Sequence, residues 1–163
     1  MALTAMLGLT GLPMGIAAIA CFGGSFTNGM VFHKMGYGDK SNVIAVMLEP
    51  LTQAHIVTAH PIPIFVSNFF GGGLAGLAAA MLGIVNNAPG TASPIPGLIA
   101  PFGFNPAGKV ILALALAAVG GLLAGYVGGT VFSRLEKRKK ATAKAAEPAV
   151  YGDPLADDEM LEA

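Results

Sequence analysis

Long apolar runs, separated by short polar or proline-rich stretches, organise the first 133 residues of the chain. Two runs, Ile62–Val85 and Val110–Phe132, each provide the roughly 20 mostly apolar residues with which a helix crosses the hydrocarbon core of a bilayer. A third run, near Leu7–Phe32, is equally apolar but is interrupted by Pro13 and by the Gly23-Gly24 pair. The pattern predicts an all-α integral membrane protein with about three transmembrane helices.

Two further stretches are apolar but poorly suited to continuous spans. Asn42–His60 carries Glu49, Gln53 and two histidines, and Asn86–Pro106 contains five prolines. Proline removes a backbone donor, and irregular backbone at membrane depth is tolerated only where protein buries it or where it lines a watery cavity. We therefore predict two re-entrant or broken-helix hairpins that enter from opposite faces. The alternative for the second stretch is an external loop, which its apolar sequence PIPGLIAPFGF argues against.

Charged residues are nearly absent before the C-terminal part of the chain. Residues 1–133 contain only five, namely Lys34, Asp39, Lys40, Glu49 and Lys109. Since a soluble domain carries about a quarter charged residues, this composition excludes one. Residues 134–144 then hold six of the nine basic groups, and residues 147–163 hold six of the nine acids. The sequence predicts a membrane domain over 1–133 and a basic-then-acidic cytoplasmic tail over 134–163, disordered from Ala141 onward.

Glycine recurs at a fixed spacing on the predicted spans. Gly121, Gly125 and Gly129 lie four residues apart on the last span, as do Gly72 and Gly76 on the previous one. Small residues at this spacing allow helix backbones to approach closely. We therefore predict glycine-rich helix packing, without a prediction of which helix is the partner.

The stretch around Glu49 is the first candidate binding site. If residues 50–60 form one helix, then Glu49, Gln53 and His60 lie within about 40° of one face, whereas His55 points elsewhere. A carboxylate, an amide and an imidazole suit a polyol, because sugar hydroxyls donate to carboxylates and amides both donate and accept. The alternative is that Lys40 or solvent neutralises Glu49 and that each histidine has a packing or capping role.

The stretch Asn86–Pro94 is the second candidate site. Asn86, Asn87 and Thr91 carry amide and hydroxyl groups that could line a permeation path if they lie at membrane depth. The alternative is a turn that the asparagines cap.

Other chemistries lack their sequence signatures, so we expect no metal, no cofactor and no catalytic residue. The spacing of His55 and His60 turns the two rings apart on a helix and matches no zinc motif. The glycine run at residues 71–73 lacks the Lys-Ser/Thr of a phosphate-binding loop, and Asp39 is the only aspartate before the tail. Nucleic-acid binding has only the short basic cluster in its favour, and we expect none. We expect the single cysteine, Cys21, to be a packed thiol.

The segments AHPIPIFVSNFFGGGLAG, from Ala59, and IVNNAPGTASPIPGLIAPFGFNP, from Ile84, resemble a known family. They are similar to the membrane component, EIIC, of bacterial phosphotransferase-system sugar transporters. The resemblance runs from about Leu12 to Phe132 and corresponds to the C-terminal half of such proteins. It implies a multi-pass protein of the bacterial plasma membrane.

The resemblance also implies a function and partners. Such a subunit binds a sugar from outside, and a partner IIB component, supplied with phosphate from phosphoenolpyruvate through IIA, phosphorylates it on the cytoplasmic side. A glutamate and a histidine contact the sugar in the family, which implies a role for Glu49 and for His55 or His60. The match to one half implies a separately encoded N-terminal half, a truncated copy or a homo-oligomer.

Two other functions stay open from the residues alone. One is a non-transporting structural or regulatory membrane protein of the same fold, in which the polar residues only pack. The other is a small ion- or proton-coupled transporter that uses Glu49.

Overall fold

The computed structural model describes residues 10–88 and 94–146, and within these residues the chain is helical apart from its turns and one isolated backbone bridge. Two short 3-10 turns, Pro50–Gln53 and Ala100–Gly103, interrupt the helical order. The helices are α1 (Leu12–Met35), α2 (Lys40–Leu48), α3 (Ala54–Ala59), α4 (Pro61–Leu82), α5 (Pro94–Ile99) and α6 (Ala107–Ala146).

Three of these helices, α1, α4 and α6, are long and apolar enough to cross a membrane. The prediction of three spans is therefore confirmed. The expected interruption of the first span is wrong, because α1 is continuous from Leu12 to Met35. Pro13 lies in the first turn, where a backbone donor has no helical partner to lose, and Gly23 and Gly24 are buried. Gly36, in the left-handed region at φ 71°, ends the helix.

The helix α1 lies against both other long helices. A Cβ added to Gly23 would lie 2.5 Å from the Cβ of Ala75 on α4, and a Cβ added to Gly125 on α6 would lie 2.5 Å from the Cβ of Met30. Backbones therefore meet at these positions with no room for a side chain. A buried cluster joins the three helices, formed by Ile19, Ala75, Ala79, Ile84, Val110, Ala113 and Ala117.

The directions of the three long helices follow from their contacts. Along α6, Gly121 adjoins Thr27, and Gly129 adjoins Lys34, so α6 runs parallel to α1. Along α4, Ser67 bonds to Asn28, whereas Gly76 lies beside Ile16, so α4 runs antiparallel to both. The end of α1 near Lys34 and the end of α6 near Ser133 therefore lie on the same side.

The helices α2 and α3 and the turn between them form a hairpin, which we call the α2–α3 hairpin. Asp39 caps α2 by accepting from the Asn42 backbone N–H at 2.9 Å. The hairpin packs along α1, because a Cβ on Gly29 would collide with Met47. It then returns to its start, since His60 stacks on Tyr37 with ring centroids 3.8 Å apart.

The segment around α5 starts from the opposite end of α1. Asn86 and Gly11 exchange backbone hydrogen bonds of 2.7 and 2.9 Å just before α1 begins. From there the chain leads to α5, which packs against α1 and contacts α2. The two interrupted stretches therefore approach each other along one flank of α1.

The chain divides into two compact units, Met1–Ser133 and Arg134–Ala163. In the second unit the prediction of disorder from Ala141 is wrong for the residues up to Ala146, which are helical. Alanine, lysine and arginine are strong helix formers, and a helix that already exists is extended without a new nucleation step. Residues 147–163 lie outside the described part of the chain.

Candidate functional site

Glu49 lies directly after α2, at the point where the hairpin turns. Both backbone groups of Glu49 are hydrogen-bonded. Its N–H donates to the Ala45 carbonyl at 2.8 Å, and its carbonyl accepts from the N–H and the hydroxyl of Thr52. The partly buried side chain differs, since its carboxylate makes no hydrogen bond or ion pair with any described residue. Lys40, the partner considered from the sequence, forms no ion pair with it. The turn thus holds the backbone and leaves the carboxylate available.

The carboxylate lies well inside the region of the three long helices. The nine residues of α2 rise by about 13 Å from the end of α1 before Glu49 is reached. Met47, two residues before Glu49, lies against Gly29, six residues before the end of α1. An acidic side chain therefore lies inside the length of α1, and it forms no ion pair with a described residue.

Two more polar side chains lie on this flank of α1. Cys21 is exposed, so the expectation of a packed thiol is wrong: α4 and α6 cover other faces of α1 and leave this one open. Asn68 of α4 is also exposed, and its side-chain oxygen lies 2.9 Å from where a Cβ on Gly24 would stand, one turn after Cys21. We call Glu49, Cys21 and Asn68 the polar strip.

Sequence reasoning missed Asn68, although a signal existed. Ser67 and Asn68 are the only hydrogen-bonding side chains in the otherwise apolar α4. Ser67 is buried, and its single hydroxyl proton has two acceptors within reach, the Asn28 side-chain oxygen at 3.0 Å and the Ile64 carbonyl oxygen at 2.9 Å. Asn68 makes no hydrogen bond with a described residue. Adjacent helix positions point about 100° apart, so Ser67 faces the neighbouring helix while Asn68 faces outward.

The remaining residues predicted for the Glu49 site are spread along the hairpin. Buried Gln53 accepts from the Asn42 amide at 2.7 Å, and His60 stacks on Tyr37 beside the end of α1. His55 is exposed on α3. The assumption of one helix over residues 50–60 is wrong, because a 3-10 turn precedes α3, and the shared face that it implied does not form.

The second candidate site is built around a turn. Asn86 is fully buried, and its side-chain oxygen accepts from the Ala88 N–H at 2.9 Å, which is the capped turn given as the alternative. Asn87 is exposed, and Thr91 lies outside the described residues.

Asn105, which sequence reasoning also missed, ties the end of α4 to the segment before α6. Its side chain accepts from the Val85 N–H at 3.0 Å and donates to the carbonyls of Val85 at 2.6 Å and Pro101 at 2.7 Å. The Asn105 amide thus satisfies both the backbone N–H and the backbone carbonyl of Val85.

Asp39, which precedes α2, interacts with its neighbours in the sequence. The pKa of Asp39 lies below its ordinary value because the carboxylate accepts from the Asn42 N–H and from the Ser41 hydroxyl. Among the described residues, no group of three His, Cys, Asp or Glu side chains could hold a metal ion.

Comparison with known proteins gives one result. No curated protein and no solved structure matches the chain. The family model described as "Phosphotransferase system, EIIC" matches residues 1–145, which is most of the chain. Together with its three spanning helices, this match shows that the chain belongs to the phosphotransferase-system EIIC family and is a membrane component of a sugar transporter of that system.

Proposed function

We propose that this chain binds a sugar at the polar strip and presents it to a partner IIB component, which phosphorylates it on the cytoplasmic side of the bacterial plasma membrane. One observation carries the proposal: Glu49 ends a helix that packs along α1, and its carboxylate makes no hydrogen bond or ion pair with a described residue. A charged group at membrane depth is costly and marks a functional site by default.

The chemistry of a sugar fits this carboxylate. Sugar hydroxyls donate hydrogen bonds, and an ionised carboxylate only accepts them. A neutral polyol therefore satisfies the group without adding a second charge. Hydrogen bonds to a charged acceptor also contribute more than those between neutral groups.

The path to the site follows from the two interrupted stretches. The α2–α3 hairpin begins and ends beside Tyr37, and the α5 segment begins beside Gly11 at the other end of α1, yet α5 contacts α2. We take them as re-entrant elements from opposite faces, an arrangement that secondary transporters use to build a midplane site. Asn87 then lies near the outer opening. The close glycine contacts of α1 make it the common wall of the bundle.

The orientation rests on basic residues. Lys34 and Lys40 lie at the end of α1 from which the hairpin starts, and the end of α6 near Ser133 lies on that side as well. Basic residues concentrate in cytoplasmic loops, so this side is the cytoplasmic one and the C-terminus is cytoplasmic.

The test is uptake of labelled hexoses, hexitols and disaccharides into membrane vesicles, with the chain expressed alone and then with the proteins of its neighbouring reading frames. We expect phosphorylated sugar inside the vesicles only when IIB and IIA components are present. Glu49→Gln should weaken sugar binding about 10- to 100-fold, since it removes a charged acceptor. Glu136→Gln, the same change on α6 beyond the spans, is the matched control and should behave as the unmodified chain.

Other results would point elsewhere. Equal sugar affinity in Glu49→Gln and the unmodified chain would remove Glu49 from the site. Uptake that depends steeply on pH and needs no phosphate donor would favour the proton-coupled transporter, which the isolated carboxylate also suits. No uptake under any condition would favour a structural or regulatory role.

A further inference from the structure

Asn68 is a polar group in an unfavourable place. It lies on α4, a candidate membrane span, and its exposed amide makes no hydrogen bond with a described residue. An amide in an apolar medium without a hydrogen-bond partner is strongly unfavourable. Its neighbour Ser67 avoids this cost through its bonds to Asn28 and Ile64. Asn68 therefore needs a polar partner from outside the described residues.

The position of Asn68 shows where that partner lies. Its side chain covers Gly24 on α1, one helical turn from Cys21. The α2–α3 hairpin reaches the same stretch of α1, because Met47, two residues before Glu49, lies against Gly29. Two polar side chains without a hydrogen-bond partner among the described residues therefore lie along neighbouring turns of α1.

We propose that Asn68 is a second substrate-contacting residue, which binds the same sugar as Glu49 and completes its recognition. This inference rests on the proposed function. A carboxylate only accepts hydrogen bonds, whereas an amide also donates two. A hydroxyl that donates to Glu49 keeps its lone pairs and accepts from the Asn68 amide, and a neighbouring hydroxyl donates to the amide oxygen. The pair thus selects a neutral polyol with adjacent hydroxyls.

The charge of the strip also excludes a class of ligand. Glu49 has no neighbouring cation among the described residues, so a substrate that carries a phosphate or carboxylate is repelled. The strip therefore accepts the sugar before phosphorylation and disfavours the phosphorylated product.

Cys21 can report on this site, because it is the single cysteine of the chain, is exposed, and lies one turn before Gly24, which Asn68 covers. Thiol alkylation proceeds through the thiolate and therefore needs water at the site. We expect N-ethylmaleimide to alkylate Cys21 in vesicles and the transported sugar to slow the reaction. Leu77→Cys in a Cys21→Ser background is the control: Leu77 is exposed on the apolar side of α4, so its replacement should react slowly and should not respond to sugar.

Substitution of Asn68 separates substrate contact from packing. Asn68→Ala and Asn68→Leu each remove the amide and should raise the KM for sugar about 3- to 30-fold, as expected for one or two lost neutral hydrogen bonds. Asn68→Ser keeps a donor and an acceptor and should lose less. Gly73→Ala is the matched control on the same helix, because a Cβ there meets nothing within 4 Å. Sugar protection of Cys21 should weaken in the first two variants and persist in the control.

The outcomes distinguish this inference from the function on which it rests. If the unmodified chain takes up and phosphorylates sugar but Cys21 is neither alkylated nor protected, the inference is wrong and the function stands. The same holds if Asn68→Leu transports with an unchanged KM, which would mean that Asn68 faces lipid or a partner helix. If no sugar of the panel is taken up by the complete system, both are wrong.

Discussion

Individual asparagines determine much of the local structure in this chain, and their side chains differ in whether they bond to the backbone of the chain. Asn86 accepts from the Ala88 N–H and closes a turn, and Asn105 accepts from the Val85 N–H. Asn68 makes no hydrogen bond with a described residue. Buried amides in the helix layer must be satisfied because no water replaces a lost bond there. An amide that the fold itself satisfies is structural, and one that the fold leaves open is a candidate for ligand binding.

Asn105 is the structural case, and its substitution tests this distinction. Asn105→Ala removes three hydrogen bonds and leaves the backbone of Val85 without its partner. We expect a loss of about 1–3 kcal/mol in the free energy of unfolding, measured by thermal unfolding of the detergent-solubilised protein. Asn87→Ala, at an exposed site nearby, should leave the stability unchanged. A stable Asn105→Ala variant would mean that the end of α4 is held by other contacts.

At the scale of the elements, α1 meets each of its long neighbours at positions where one of the two helices has a glycine. Gly23 faces Ala75 of α4, and Gly125 of α6 faces Met30. Helix packing in lipid relies on such close approach, since lipid tails provide no hydrophobic drive between helices. The glycines, which contribute no side chain, are therefore the residues at which these helices pack most closely.

Gly23→Ala should disrupt this contact. The added methyl group would lie 2.5 Å from the Cβ of Ala75, so the helices must separate. We expect a destabilisation of about 1–3 kcal/mol, as for other overpacked sites, with a lower temperature of aggregation in detergent. Gly73→Ala on α4 meets nothing within 4 Å and, since alanine favours helix more than glycine does, should be neutral or stabilising by up to about 1 kcal/mol. Equal behaviour of the two variants would contradict the contact.

The sequence predicts these elements unevenly. The three spans follow from apolar length, and the break after Glu49 follows from Pro50, because both depend on properties of contiguous residues. The fold of the hairpin depends on the Asn42–Gln53 bond and on the stacking of His60 on Tyr37, which join residues far apart in the chain. Asn68 was missed for a similar reason: its exposure depends on how α4 is rotated against α1, and hydropathy does not report rotation.

At the scale of the whole molecule, the unit Met1–Ser133 contains two long helices that run parallel, α1 and α6, and a third, α4, that runs antiparallel to them. Basic residues at one end of this set are the basis of the proposed orientation. The two interrupted stretches start at opposite ends of α1, which is the arrangement that the proposed substrate path requires.

This topology is testable with single cysteines in a Cys21→Ser background. Asn87→Cys should react with a membrane-impermeant maleimide in intact cells, because the proposed orientation places Asn87 outside. Lys40→Cys, at the start of the α2–α3 hairpin, should react only after the membrane is permeabilised. A reporter protein fused after residue 163 should be cytoplasmic. Labelling of Lys40→Cys in intact cells would reverse the orientation.

The odd number of candidate spans among the described residues of this unit has a consequence for any polypeptide that contains the unit twice. After three crossings the chain emerges on the side opposite to the one from which it entered. A second identical unit joined directly behind the first would then start from the wrong side and insert upside down. Tandem duplication of such a unit therefore creates two halves related by a twofold axis in the membrane plane, with each Glu49-bearing hairpin entering from its own face.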